Sequence, residues 1–228
     1  MADIEARAKR LVRQLGPTCA FYAFINGIIA TKNLDDVGTY KIRSSILDII
    51  EKDNTEHTNI GEFFDINVLK SFLEKYGKEL TKGLNANYGF NIDVVGRLQN
   101  TPDTFYLIPI FRGKYTTAPL YKYTTMHWIA AVYLDNKLYM VDSPNKISEL
   151  STNNMLKLDL NQELKGKYFT WVNWHSNVKT LLRLKFNKFY KNDLIKKRIF
   201  SIKKDNPGAR HYYDINVNKA LKIKMIEY

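Results

Sequence analysis

One stretch limits the architecture of this chain more than any other. From Ala20 to Ala30 the residues read Ala-Phe-Tyr-Ala-Phe-Ile-Asn-Gly-Ile-Ile-Ala, apolar on nearly every side of a helix. A helix without a polar face has to be enclosed, so the remainder of the chain must wrap it. Its beginning is marked as well. Gly16-Pro17 signals a turn, and Thr18 is a good helix N-cap. Cys19, the single cysteine among 228 residues, then falls in the first turn of a helix expected to run to about Ala30. The sulfur would lie near the positive end of the helix macrodipole, which favours an anion, and the thiolate is the nucleophilic form of cysteine. Gln14, five residues upstream, carries an amide able to donate to an oxyanion formed on a carbonyl attacked by that sulfur. The plainer reading of a lone cysteine is a small buried hydrophobe.

The segments around this helix predict helices first and strands afterwards. Ala2 to Gln14 is amphipathic, with Ile4, Ala8, Leu11 and Val12 at helical spacing. Lys41 to Lys52 carries Ile42, Ile46, Ile49 and Ile50 on one side. Asp65 or Asn67 caps a helix to about Tyr76, with Val68, Leu69, Phe72 and Leu73 inward. The pattern changes at Thr101-Pro102. Phe105 to Phe111 reads as a strand, and Pro109 within it suggests an edge or a bulge. Further strands are expected over Tyr168 to Trp174, Leu181 to Phe186 and Leu221 to Ile226. The order implies an α+β fold. Residues 1–100 would form a helical lobe carrying the cysteine. Residues 101–228 would form an antiparallel β lobe with a basic C-terminal segment, the two making one domain.

Trp128 to Leu134 and Lys137 to Asp142 form a predicted hairpin around Asp135-Asn136. With a two-residue turn Leu134 pairs with Lys137, Ile129 falls opposite Asp142 and His127 opposite Pro144. His127 and Asp142 then share a face, one diagonal step apart, and a one-residue shift of the turn would set them directly opposite. Either register puts an imidazole within reach of a carboxylate that can fix its tautomer and stabilise its cation. Cys19, His127 and Asp142 together supply a nucleophile, a base and an orienting group. His57, His175 and His211 show no comparable arrangement and read as structural or surface residues. No His pair has helical ligand spacing, the lone cysteine excludes a Cys-rich zinc site, and no phosphate-binding glycine loop occurs, so neither a metal nor a cofactor is expected.

Gln14 and Cys19, a His127-Trp128 pair at the head of a strand, and Val141-Asp142-Ser143-Pro144-Asn145 resemble the papain-like cysteine peptidase superfamily. The texture is nearest to its compact bacterial and viral branches, including bacteriocin leader-processing peptidases. The resemblance spans Gln14 to about Asn145. It implies a papain-like fold, with the cysteine opening the central helix of a helical lobe and the His and Asp coming from a β lobe. It also implies a thiol protease, a hydrolase with the catalytic set Cys19, His127, Asp142 and Gln14, acting on a protein or peptide substrate. The same set serves isopeptide cleavage, glutamine deamidation or acyl transfer to an amine, and the sequence does not separate these.

Charge adds a second expectation. The 35 Lys and Arg against 23 Asp and Glu give a net charge of +12, much of it after Ser176, in clusters such as Lys196-Lys197-Arg198 and Lys203-Lys204. A surface of this kind suits an anionic partner: an acidic protein, a membrane surface or nucleic acid. A papain-like shell serving only as a basic binding module is therefore the alternative of another class. The N-terminal thirteen residues have no apolar core of a signal peptide, and no apolar run is long enough to span a membrane. The expected location is the cytoplasm, with delivery into a host cytosol as one route beyond it.

Overall fold

The structure, a computed structural model, describes residues 4–15, 18–35, 37–58, 61, 63, 65–84, 87–112, 125–142, 155–158, 170–171, 174–175, 193, 214–215 and 219–227. It is α+β. Among the described residues four α-helices come first: α1 (Ile4–Arg10), α2 (Cys19–Lys32), α3 (Thr39–Asp53) and α4 (Ile66–Leu80), with a 3-10 turn at Thr81–Leu84. The strands are β1 (Tyr88–Val95), β2 (Thr104–Arg112), β3 (Thr125–Leu134), β4 (Lys137–Val141), β5 (Met155–Leu158), β6 (Thr170–Trp171), β7 (Trp174–His175), β8 (Asp214–Ile215) and β9 (Ala220–Glu227). An antiparallel sheet runs in the order β1-β9-β2-β3-β4-β5, with β6 also on β2, and β7 pairs β8 separately.

The enclosed helix is α2. Every residue from Ala20 to Ala30 is buried. It lies across β2 and β3 so closely that a Cβ on Gly27 would stand 2.3 Å from the Phe105 ring. The helix ends where Asn33 takes a left-handed conformation at φ 55°, one that asparagine tolerates. At this end Lys32 Nζ donates to Asp103 at 2.6 Å and to Glu227 at 2.5 Å, tying the helix to the sheet. One apolar core joins Phe21, Phe24 and Ile28 of α2 to Ile46 and Ile50 of α3, Leu69 and Phe72 of α4, and Trp128, Ala130 and Val132 of β3. A second cluster, with Tyr106, Ile108, Ile129, Ala131, Leu138 and Met140, occupies the alternate positions of the strands and hence the other face of the sheet.

Several expected boundaries shift for identifiable reasons. The first helix stops at Arg10 rather than continuing to Gln14. Asn26 of α2 takes both backbone groups of Val12, accepting from its N–H at 2.8 Å and donating to its C=O at 3.0 Å, so those groups are lost to a helix. Asp65, not Asn67, caps α4, accepting from the N–H groups of Asn67 at 2.7 Å and Val68 at 3.1 Å. That helix runs on to Leu80. Its buried stripe is Leu69, Phe72, Leu73, Tyr76 and Leu80, while Val68 is exposed instead of inward.

Pro109 lies neither at a sheet edge nor in a bulge. The β2–β3 register is continuous through it, and Pro109 faces Trp128. On its other side, among the described residues, β2 pairs with β9 over Thr104–Leu107 and with β6 over Ile110–Phe111, and Pro109, which has no N–H, lies between these two pairings. Strand β1 was not anticipated. It precedes residue 100, the expected end of the helical lobe, and pairs along its whole length with β9 near the C-terminus. The expected strand at Leu221 to Ile226 is β9, and Tyr168 to Trp174 contains the short β6 and the start of β7. Leu181 to Phe186 and the clusters Lys196-Lys197-Arg198 and Lys203-Lys204 lie outside the described residues, as does His211. No helix among the described residues is long and apolar enough to cross a membrane.

Candidate active site

The hairpin that carries two of the three expected groups has the anticipated register. Asp135 and Asn136 form the turn with φ of 48° and 60°, the left-handed pair that a two-residue hairpin loop requires. Leu134 pairs with Lys137 and Ala130 with Val141. Asp142 follows β4, next in line opposite Ile129, two residues beyond His127. The pair meets as a hydrogen bond of 2.5 Å between His127 Nε2 and Asp142 Oδ1, and both residues are buried.

Cys19 is the first residue of α2 and half-buried. Its side chain hydrogen-bonds the His127 ring. An imidazole thus stands between a thiol at a helix start and a carboxylate at a strand end. Burial pulls the His127 pKa down, as it does for any desolvated cation, but hydrogen bonds to Asp142 and Cys19 and the charge interaction with Asp142 outweigh it. The ring is raised from 6.5 to about 9. At neutral pH His127 is an imidazolium beside the sulfur, the kind of neighbour that makes a cysteine reactive.

Thr18 stands at the N-cap position but does not cap. Its backbone has φ −102° and ψ 32°, and its hydroxyl donates to the Leu15 carbonyl instead of accepting from the helix. The first intrahelical bond is from Tyr22 N–H to the Thr18 carbonyl. The N–H groups of Cys19, Ala20 and Phe21 precede it and lack intrahelical acceptors. The Thr18 side chain caps none of them. Gln14 is buried in the connection between α1 and α2.

A loop braces the site from below. Asp53, buried at the end of α3, accepts from the N–H groups of His57 at 3.0 Å and Thr58 at 3.1 Å, and meets His57 Nδ1 at 2.7 Å. Thr58 Oγ1 takes the Gly61 N–H at 2.9 Å. Gly61 has φ 103° and packs so tightly that a Cβ would come within 2.5 Å of the Thr18 methyl. Past it, the Phe63 carbonyl accepts the Trp128 indole N–H at 2.8 Å. The loop therefore touches the residue before Cys19 and the residue after His127. Asp53, Glu56 and His57 present ligand atoms within 4.8 Å of one another, but Asp53 is engaged by the loop it closes and Glu56 pairs with Lys75.

Of the sequence-predicted residues, the structure brings Cys19, His127 and Asp142 together and buries Gln14. His57 is a loop residue, and His175 pairs through its backbone with Asp214. Sequence reasoning missed Asn26 and Trp128. Asn26 did carry a signal, being the one amide in an otherwise apolar helix. The Trp128 bond to Phe63 spans 65 positions and had none. Comparison with profiles of known protein families, with curated proteins and with solved structures finds no match to this chain.

Proposed function

We propose that this chain is a thiol-dependent acyl-transfer enzyme, a cysteine peptidase of papain-like arrangement that opens a peptide or isopeptide bond. The carrying observation is the buried relay in which His127 bonds Asp142 through Nε2 and hydrogen-bonds Cys19. In this reading the Cys19 sulfur attacks the carbonyl carbon. His127 gives its proton to the leaving amine as the tetrahedral adduct collapses. It then takes a proton from the water that releases the acid. Asp142 holds the ring in the required tautomer and balances its charge. The Cys19 N–H and the Gln14 amide receive the oxyanion. The substrate is a protein or peptide.

p-Nitrophenyl acetate tests the thiol chemistry without knowledge of the natural substrate. Native protein is expected to release a burst of one p-nitrophenolate per chain, absent in Cys19→Ala and much slower in His127→Ala. A burst that persists in Cys19→Ala, or is no faster than in urea-unfolded protein, overturns the proposal. Mass spectrometry of a peptide library incubated with native protein or with Cys19→Ala tests the peptidase step. New N-termini made only by the native protein support it. Acylation without new N-termini reassigns the site to deamidation or acyl transfer.

A further inference from the structure

The segment that carries Gln14 is gripped at both ends by side chains of α2. Val12 has both backbone groups bonded to the Asn26 amide, at 2.8 and 3.0 Å, and Asn26 is fully buried. The buried Tyr22 hydroxyl is hydrogen-bonded by the Arg43 side chain and by the Leu15 backbone. The Leu15 carbonyl is taken by the Thr18 hydroxyl. As the chain advances from 12 to 15, its partner moves back from Asn26 to Tyr22 on α2 and then to Thr18 at the N-cap. The segment therefore runs antiparallel to α2 toward the helix start. Tyr22 lies one turn below Cys19, and helical side chains lean toward the N-terminus, so its hydroxyl reaches the level of the first turn. Gln14 lies buried between the two clamped positions.

We propose that Asn26 and Tyr22 are positioning residues for the oxyanion: clamping Val12 and Leu15 against α2, they hold the Gln14 amide beside the Cys19 sulfur. This rests on the acyl-transfer reading above. A flexible connection would let the amide swing away, whereas a donor stabilises an oxyanion only if it is already aimed when charge develops. Asn26 is suited to the task because its amide matches both groups of one peptide residue, and a buried amide left with one bond would cost stability.

Two probes of Cys19 separate positioning from general damage. In acylation by p-nitrophenyl acetate, sulfur bonds to the acetyl carbon and the carbonyl electron pair moves onto oxygen. The oxyanion then collapses and expels p-nitrophenolate with its electron pair. In alkylation by iodoacetamide, sulfur displaces iodide directly and no oxyanion forms. Gln14→Ala is expected to slow acylation by about 10²-fold with alkylation unchanged. Asn26→Ala and Tyr22→Phe are each expected to slow acylation by about tenfold or more, up to the Gln14→Ala loss, again without slowing alkylation. Either change placed on top of Gln14→Ala should cost nothing further, because both act through the same amide.

The inference fails alone if Gln14→Ala slows acylation but Asn26→Ala and Tyr22→Phe do not. It also fails if their effects multiply with that of Gln14→Ala, or if acylation and alkylation fall together. If Gln14→Ala has no effect, the oxyanion assignment fails with it. Should Asn26→Ala not fold by circular dichroism, Tyr22→Phe, which removes a single hydroxyl, decides the matter.

Discussion

Replacing Asp142 by Asn is the sharpest probe of the buried relay, because the amide keeps the shape and removes the charge. The His127 ring is raised from 6.5 to about 9, with burial opposing the rise and Asp142 first among the groups that produce it. Without the carboxylate, burial is opposed only by Cys19. The His127 pKa in Asp142→Asn should therefore fall by more than about one unit, toward or below its unfolded value. The consequence for stability has a definite sign. Below pH 6.5 the ring is protonated both folded and unfolded, and its ion pair contributes fully. Between 6.5 and 9 the unfolded ring gives up its proton while the folded ring keeps it, so stability falls as pH rises. Above 9 the contribution is gone.

The shift corresponds to a contribution on the order of 3 kcal/mol, since one pKa unit is about 1.4 kcal/mol. Urea melts at about pH 6 and about pH 9.5, compared between native protein and Asp142→Asn, read this window directly. The native protein should lose more stability across it than the variant does. The ring resonances of His127, followed by NMR through the same range, should titrate near 9 in the native protein and well below that in Asp142→Asn. Equal pH-dependent losses in the two proteins, or a His127 titration unmoved by the substitution, would refute the reasoning.

Trp128→Phe should destabilise the fold by about 1–3 kcal/mol in urea, because the buried Phe63 carbonyl loses its 2.8 Å donor; an unchanged midpoint would mean that the loop finds another donor. Gly27→Ala should cost about 1–3 kcal/mol through its clash with the Phe105 ring, 2.3 Å from the new Cβ. Phe105→Leu in the same chain should recover part of that loss, and a double variant no more stable than Gly27→Ala would show that the ring is not the obstruction.

What the sequence determined by itself was local. The enclosed helix, the isoleucine face of α3, the Asp-Asn turn and the hairpin register all follow from side chains a few residues apart, where periodicity and turn chemistry act directly. The register alone was enough to put His127 and Asp142 within reach of each other. What only the tertiary structure decided was which distant groups satisfy each other. Asn26 claims the backbone of Val12 and ends the first helix early. Thr18 turns from its own helix to the Leu15 carbonyl and leaves the helix start without a side-chain cap. Strand β1 forms because β9, more than a hundred residues later, supplies its partner. The encounter of Cys19 with His127 is of the same kind. Helix and hairpin are each written locally, but their meeting depends on α2 packing across β2 and β3. That packing is set by the burial of whole faces and leaves no mark on the residues that it brings together.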